Sequence, residues 1–151
     1  MHDSRTVANR FLELARLDKL PISPMKLLKL VYIAHGWNLG LYGRPLIKDR
    51  VEAWKYGPVI PKLYNAVRDF KSSPVDKPLS APWNEKLSTN EIDLVNQVYD
   101  RYGKKSALDL STLTHQAGSP WEYMYDPEEF GTLIPMDLIQ SYYERLAKEK
   151  A

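Results

Sequence analysis

His35 and His115, the internal histidines, and an acid such as Glu52 are the side chains here that could do chemistry. An imidazole titrates near neutral pH and can serve as a general base, and two histidines with a carboxylate could hold a zinc ion. The spacing supports neither role. The three residues stand in separate segments with no metal-ligand interval, and no Gly-x-Ser-x-Gly elbow accompanies them. The chain has no cysteine, which excludes thiolate nucleophiles, disulfides and cysteine-ligated metals. Gly36 and Gly40 are followed by no Gly-Lys-Ser, so no phosphate-cradling loop is present. His35 follows Tyr32 by three residues and Val31 by four, on an apolar helix face. A buried histidine bonded to a backbone carbonyl is expected there. The pattern points away from an enzyme and calls for no cofactor; a histidine-dependent metal site is the least supported alternative.

Charge is informative mainly by its balance. The 151 residues carry 21 lysines and arginines against 19 acids, a net charge of +2. That is too even to indicate nucleic-acid binding by itself. Lys55, Lys62, Arg68 and Lys71 could place positive charge around one helix and meet phosphates, but Asp69 dilutes the patch and no basic recognition helix is evident. A DNA-binding regulator is therefore the minor reading, and an acidic protein partner would suit the same residues. The 44% apolar and 26% charged fractions fit one globular domain over residues 1–151. The start, MHDSRTVANRF, lacks a signal-peptide core, and no apolar run approaches the roughly 20 residues that span a bilayer. A soluble cytoplasmic protein without membrane insertion is expected.

The elements that position these residues are mostly helical. Ser4 or Thr6 could cap a first helix reaching about Leu17, broken by Asp18-Lys19-Leu20-Pro21. Ser23-Pro24 opens a second, central helix with Leu27, Leu28, Val31, Tyr32, His35 and Leu39 as its stripe, ended by Gly43. Lys26 and Lys29, at its amino end, are expected to be solvated. Leu46–Trp54 reads as a short extended segment, and Tyr56-Gly57-Pro58 as a compact break. A third helix runs from Pro58 or Pro61 to Phe70. Residues 71–86 form a proline-interrupted surface linker. Ser88-Thr89-Asn90-Glu91 is a capping box opening a helix stopped by Gly103. Ser106 caps the next, leading to His115; Gly118-Ser119-Pro120 breaks the chain before Trp121. Thr132–Ile134 is a candidate strand, and a last helix starts near Pro135. The fold class is mainly α, about six helices with a minor β-element.

Aromatics gather at the turns. Trp37, Tyr42, Trp54 and Tyr56 could form a binding surface. Trp54 is expected mainly in the core, with Trp37 and Tyr42 as the exposed pair. Tyr123-Met124-Tyr125 is a further candidate contact, though core or loop packing is expected of it.

The run Lys26-Leu27-x-Lys29-Leu30-x-Tyr32-x-Ala34-x-Gly36-Trp37, then Gly43-x-Pro45-Leu46, then Glu52-Ala53-Trp54-x-Tyr56-Gly57-Pro58-Val59, resembles the Panacea domain of SocA-like antitoxins. Leu113-Thr114-His115 and Pro120-Trp121 extend the resemblance more weakly. The family is also found in phage-associated and prophage settings. The resemblance implies a small protein that binds and neutralises a cognate protein toxin, with an ATP-dependent protease as a further partner where a member acts as an adaptor. Gly36, Glu52, Trp54, Gly57, Pro58, His115 and Trp121 are then the structural motif. The expected contact surface joins the end of the central helix, the Gly43–Pro45 turn and the start of the third helix, using Trp37, Tyr42, Arg44, Pro45, Lys55, Tyr56 and Lys62. The linker 71–86 is a second candidate contact.

Overall fold

The computed structural model describes residues 1–150. Its order is α1 (Ser4–Asp18), α2 (Pro24–Tyr42), β1 (Glu52–Trp54), β2 (Gly57–Val59) and α3 (Pro61–Val67) with a 3-10 turn (Arg68–Phe70). Then come α4 (Thr89–Tyr102), α5 (Ala107–Thr114), α6 (Pro120–Met124), β3 (Thr132–Leu133) and α7 (Met136–Lys150). Mainly α with a small sheet is the class expected, with seven α-helices among the described residues.

Local chemistry explains most boundaries. The Ser23 side chain accepts from the Lys26 amide, Pro24 takes the first turn, and Gly43 closes α2 at φ 67°. Ser88 and Glu91 form the reciprocal capping box of α4, and Ser106 caps α5. The first cap differs from expectation. Asp3 caps α1 by accepting from the Arg5 amide at 2.9 Å. Ser4 is instead drawn to Asp49, which accepts from both its amide and its hydroxyl, and the Thr6 hydroxyl donates to Glu85.

Helix α2 is the hub. Every residue from Leu27 to Leu39 is buried, the signature of a helix covered on all sides. It packs against α1, α4, α5 and α7. Each fully buried Leu or Ile there contributes on the order of 1.5–3 kcal/mol. The crossing with α7 depends on glycine: a Cβ on Gly40 would lie 2.6 Å from Tyr143 Cβ and 2.7 Å from its carbonyl carbon.

The sheet order is β2-β1-β3, antiparallel throughout, with Ala53 opposite both Pro58 and Thr132. Gly57-Pro58, expected as a break, is strand. Proline fits because β2 is an edge strand, and the Pro58 carbonyl finds its partner in α2. Two further corrections concern α2 itself. Lys29, expected in solvent, is 2% exposed. His35 is buried as expected, yet its Nδ1 accepts from the Leu46 and Ile47 amides at 3.2 and 3.3 Å rather than bonding a carbonyl. Burial lowers its pKa to about 4. The chain around Trp121, read only as a break, folds into α6 with Ser119 as its cap.

Candidate partner-binding surface

The β1–β2 hairpin is fastened from beneath. Lys29 Nζ donates to the carbonyls of Pro58 at 3.0 Å and Tyr56 at 3.3 Å, and the Ser111 hydroxyl donates to the Tyr56 carbonyl at 2.8 Å. Desolvation lowers the Lys29 pKa to about 8. Gly57 is obligatory in two ways: its φ is 119°, and a Cβ would sit 2.7 Å from Lys29 Nζ. From the other side, Trp121 Nε1 donates to the Trp54 carbonyl. Trp121 is itself held between His115, edge-on at 5.2 Å, and Tyr125, stacked at 4.7 Å. Trp54 Nε1 donates to Glu52 Oε1 at 2.9 Å, and Glu52 pairs with Arg50 at 2.8 Å. Glu52, Trp54, Gly57, Pro58, His115 and Trp121 thus meet around one hairpin. Gly36 lies elsewhere on α2, against Tyr143.

This scaffold presents Trp54, half-buried, to a groove of about 710 Å³. Tyr64 of α3 and Phe130 of the 125–131 loop each stand 4.9 Å from the Trp54 ring. Phe130 is 83% exposed and Tyr56 63%. Arg68 and Lys71 line the groove from the end of α3, and Glu128 and Glu129 from the loop. Among the described residues none of these four is ion-paired. Lys55 stands over the Tyr56 ring, 5.5 Å from its centroid. Lys55, Tyr56, Arg68 and Lys71 were recognisable in the sequence; Phe130 and the acidic loop were not, because they lie some seventy residues away and carry no motif.

The other expected contact residues fall elsewhere. Trp37 is a correction: it is buried, not exposed, with its indole N–H donating to Tyr102 Oη at 3.1 Å and its ring 5.1 Å from Tyr143. The last turns of α2 are sealed by α7, so the indole faces inward. Tyr42 and Arg44 are exposed and Pro45 half-buried, bordering a depression of about 530 Å³ with Met1 and Asn38. At 1.5 Å per residue, Tyr42 stands about 20 Å along α2 from Lys29 and the hairpin. Lys62 points to a third place, pairing with Asp3 Oδ2 at 2.9 Å. Asp3, 1% exposed and also bonded by Arg5, has its carboxyl held well below the usual range, chiefly by Arg5. The seven residues therefore form separate groups instead of one patch. Residues 71–86 are largely exposed but anchored, through the Val75 amide on the Ile22 carbonyl and Asn9 on Leu79, and they carry Trp83 at 91% exposure. In the 123–125 segment Tyr123 is exposed, while Met124 and Tyr125 pack partly against the core.

The chemistry considered for His35, His115 and Glu52 has no common centre. His35 is walled in by α2 and residues 46–47, His115 stands beside Ser111 and Trp121, and Glu52 is engaged by Arg50 and Trp54. Among the described residues no three histidine or acidic side chains come together in a way that could hold a metal ion. No helix of the described residues is long and apolar enough to cross a membrane.

Residues 27–122 match the family described as Antitoxin SocA-like, Panacea domain. They contain the central helix from Leu27 onward and the hairpin that α2, α5 and α6 hold in place. The chain belongs to this SocA-like antitoxin family. Antitoxin SocA of Caulobacter vibrioides (strain NA1000 / CB15N) is 33% identical to it over 129 residues, covering 80% of this chain and 69% of that protein. No solved structure matches the chain.

Proposed function

We propose that this protein is an antitoxin that neutralises a cognate protein toxin by binding it directly and covering its active surface, without catalysis of its own. Besides the family membership, the observation that carries the reading is the aromatic groove on the hairpin. Phe130 and Tyr56 expose large apolar area beside Trp54 on a hairpin fastened by Lys29, Ser111 and Trp121. Exposed aromatics on a preorganised support are what protein interfaces use as anchors, because little side-chain freedom is lost on docking. The region around Tyr42, Arg44 and Pro45 and the linker with Trp83 supply additional contact area. A stable interface of roughly 1,200–2,000 Å² in total is within reach of these surfaces on a chain exposing 8466 Å².

Expressed alone, the product of the adjacent gene should arrest growth; co-expressed with this chain it should be harmless and co-purify with it. An adjacent product that is innocuous alone, or lethal despite co-expression, would remove the reading. As a further role we propose delivery of the bound toxin to an ATP-dependent protease in the cytoplasm, a step that occlusion alone does not require. It predicts a toxin half-life that shortens when this chain is present and recovers when the protease is deleted.

A further inference from the structure

The groove over Trp54 joins an apolar floor to uncompensated charge of both signs. Elsewhere several partly buried carboxylates are paired in place: Asp3 by Arg5 and Lys62, Glu85 by Lys48, Glu52 by Arg50. Around the groove Arg68, Lys71, Glu128 and Glu129 share one concavity, and none has an ion-pair partner among the described residues. At about 710 Å³ the space lies within the roughly 300–1,000 Å³ of ligand-sized sites. It suits a few inserted side chains better than a flat protein face. Strand addition along β2 is blocked, since Lys29 and Ser111 already occupy the Tyr56 and Pro58 carbonyls.

We infer that the groove seats a short segment of the toxin that presents an apolar side chain between an acidic and a basic residue. The apolar side chain packs on Trp54, Tyr64 and Phe130, the acid faces Arg68 and Lys71, and the base faces Glu128 and Glu129. A nucleic-acid strand would set its phosphates against Glu128 and Glu129, and a segment of one sign would leave half of the rim charges unanswered. Only a segment of mixed charge complements both sets, which gives selectivity more than raw affinity. This inference rests on the antitoxin reading and supplies its docking chemistry.

The test uses the full chain and the purified product of the adjacent gene. Calorimetry compares wild type with Phe130→Ala, the double variant Arg68→Glu/Lys71→Glu, and Glu128→Lys/Glu129→Lys, all at exposed positions that leave the core untouched. Each should weaken binding by about tenfold or more, the usual cost of removing an interface anchor. Asp100→Ala, at an exposed position of α4 that lines no part of the groove, should stay within about threefold of wild type. Hydrogen exchange on the toxin should show one protected segment of mixed charge, and a synthetic peptide of that segment should compete with the whole toxin. Groove variants that bind like wild type while the wild type binds tightly would overturn the groove assignment and leave the antitoxin reading standing. A protected segment of single sign, or a peptide that fails to compete, would also overturn it. Should the wild type bind no adjacent product, both fall together.

Discussion

Replacing Lys29 with methionine should change how stability depends on pH, by an amount that the structure sets. The side chain is 2% exposed, and burial lowers its pKa from 10.5 to about 8. Below pH 8 the amine is protonated in both folded and unfolded chains, and the folded state bears the full cost of burying the charge. Between pH 8 and 10.5 the unfolded chain binds more protons than the folded one, so this group's contribution to stability rises with pH. From pH 7 to pH 9.5 the gain is about 2 kcal/mol for a shift of this size. Deprotonation does not release the hairpin, because a neutral amine still has two N–H groups for the Tyr56 and Pro58 carbonyls. Methionine keeps the volume but abolishes both bonds and the titration. At pH 7 Lys29→Met should forfeit the donor of the Pro58 carbonyl, at about 1–3 kcal/mol, against the relief of a buried charge, while the Tyr56 carbonyl keeps the Ser111 hydroxyl. The wild-type advantage should then widen by about 2 kcal/mol by pH 9.5. Urea denaturation of both proteins at the two pH values measures this, and the difference between them cancels the titration of groups common to both. An advantage that stays constant, or narrows, would refute the claim that burial of the ammonium outweighs its carbonyl partners.

Gly57→Ala should cost roughly 1–3 kcal/mol, from a strained positive φ and the approach to Lys29; its urea midpoint should fall with the slope unchanged. Gly40→Ala should destabilise by about 1–3 kcal/mol through overpacking against Tyr143 and the α7 backbone, seen as a lower Tm. Asp3→Asn should flatten the acid limb of stability. The Asp3 carboxyl is depressed in the folded state, so its contribution is complete above the ordinary carboxylate range and is lost as pH falls below it; thermal scans at pH 7 and pH 3 compare the two. Trp83→Ala should leave stability within about 0.5 kcal/mol, as expected of an exposed side chain, while any loss of toxin affinity would mark the linker as a contact.

Helix limits came largely from local chemistry and were legible without coordinates. Ser23-Pro24, the Ser88–Glu91 box, Ser106 and Gly43 act on backbone groups within a few residues of themselves, and each stands where the sequence placed it. The glycine- and aromatic-rich turns around Gly57 were visible as a special feature, and Gly57 does need its unusual backbone angle. The pairing of Gly57-Pro58 with β1 could not be seen, because a proline lacks an N–H and is acceptable only in an edge strand, and which strand lies at the edge is set by tertiary pairing. Side chains whose fate depends on distant partners were the ones misread. Ser4 looked like a cap until Asp49, 45 residues on, claimed its hydroxyl. Lys29 looked solvated because lysine is rarely buried, and only the two hairpin carbonyls make its interior position tolerable. Trp37 looked exposed at a helix end until α7 crossed over it. The groove depended most on tertiary structure: Trp54, Tyr64 and Phe130 meet only when β3 pairs with β1 and brings the acidic loop beside α3. Amino-acid order by itself determined where most helices begin and end, since caps and turns act over a few bonds, and it carries the motifs of the SocA-like family. Which aromatics face outward, and which charges remain unpaired, was decided by packing between segments far apart along the chain.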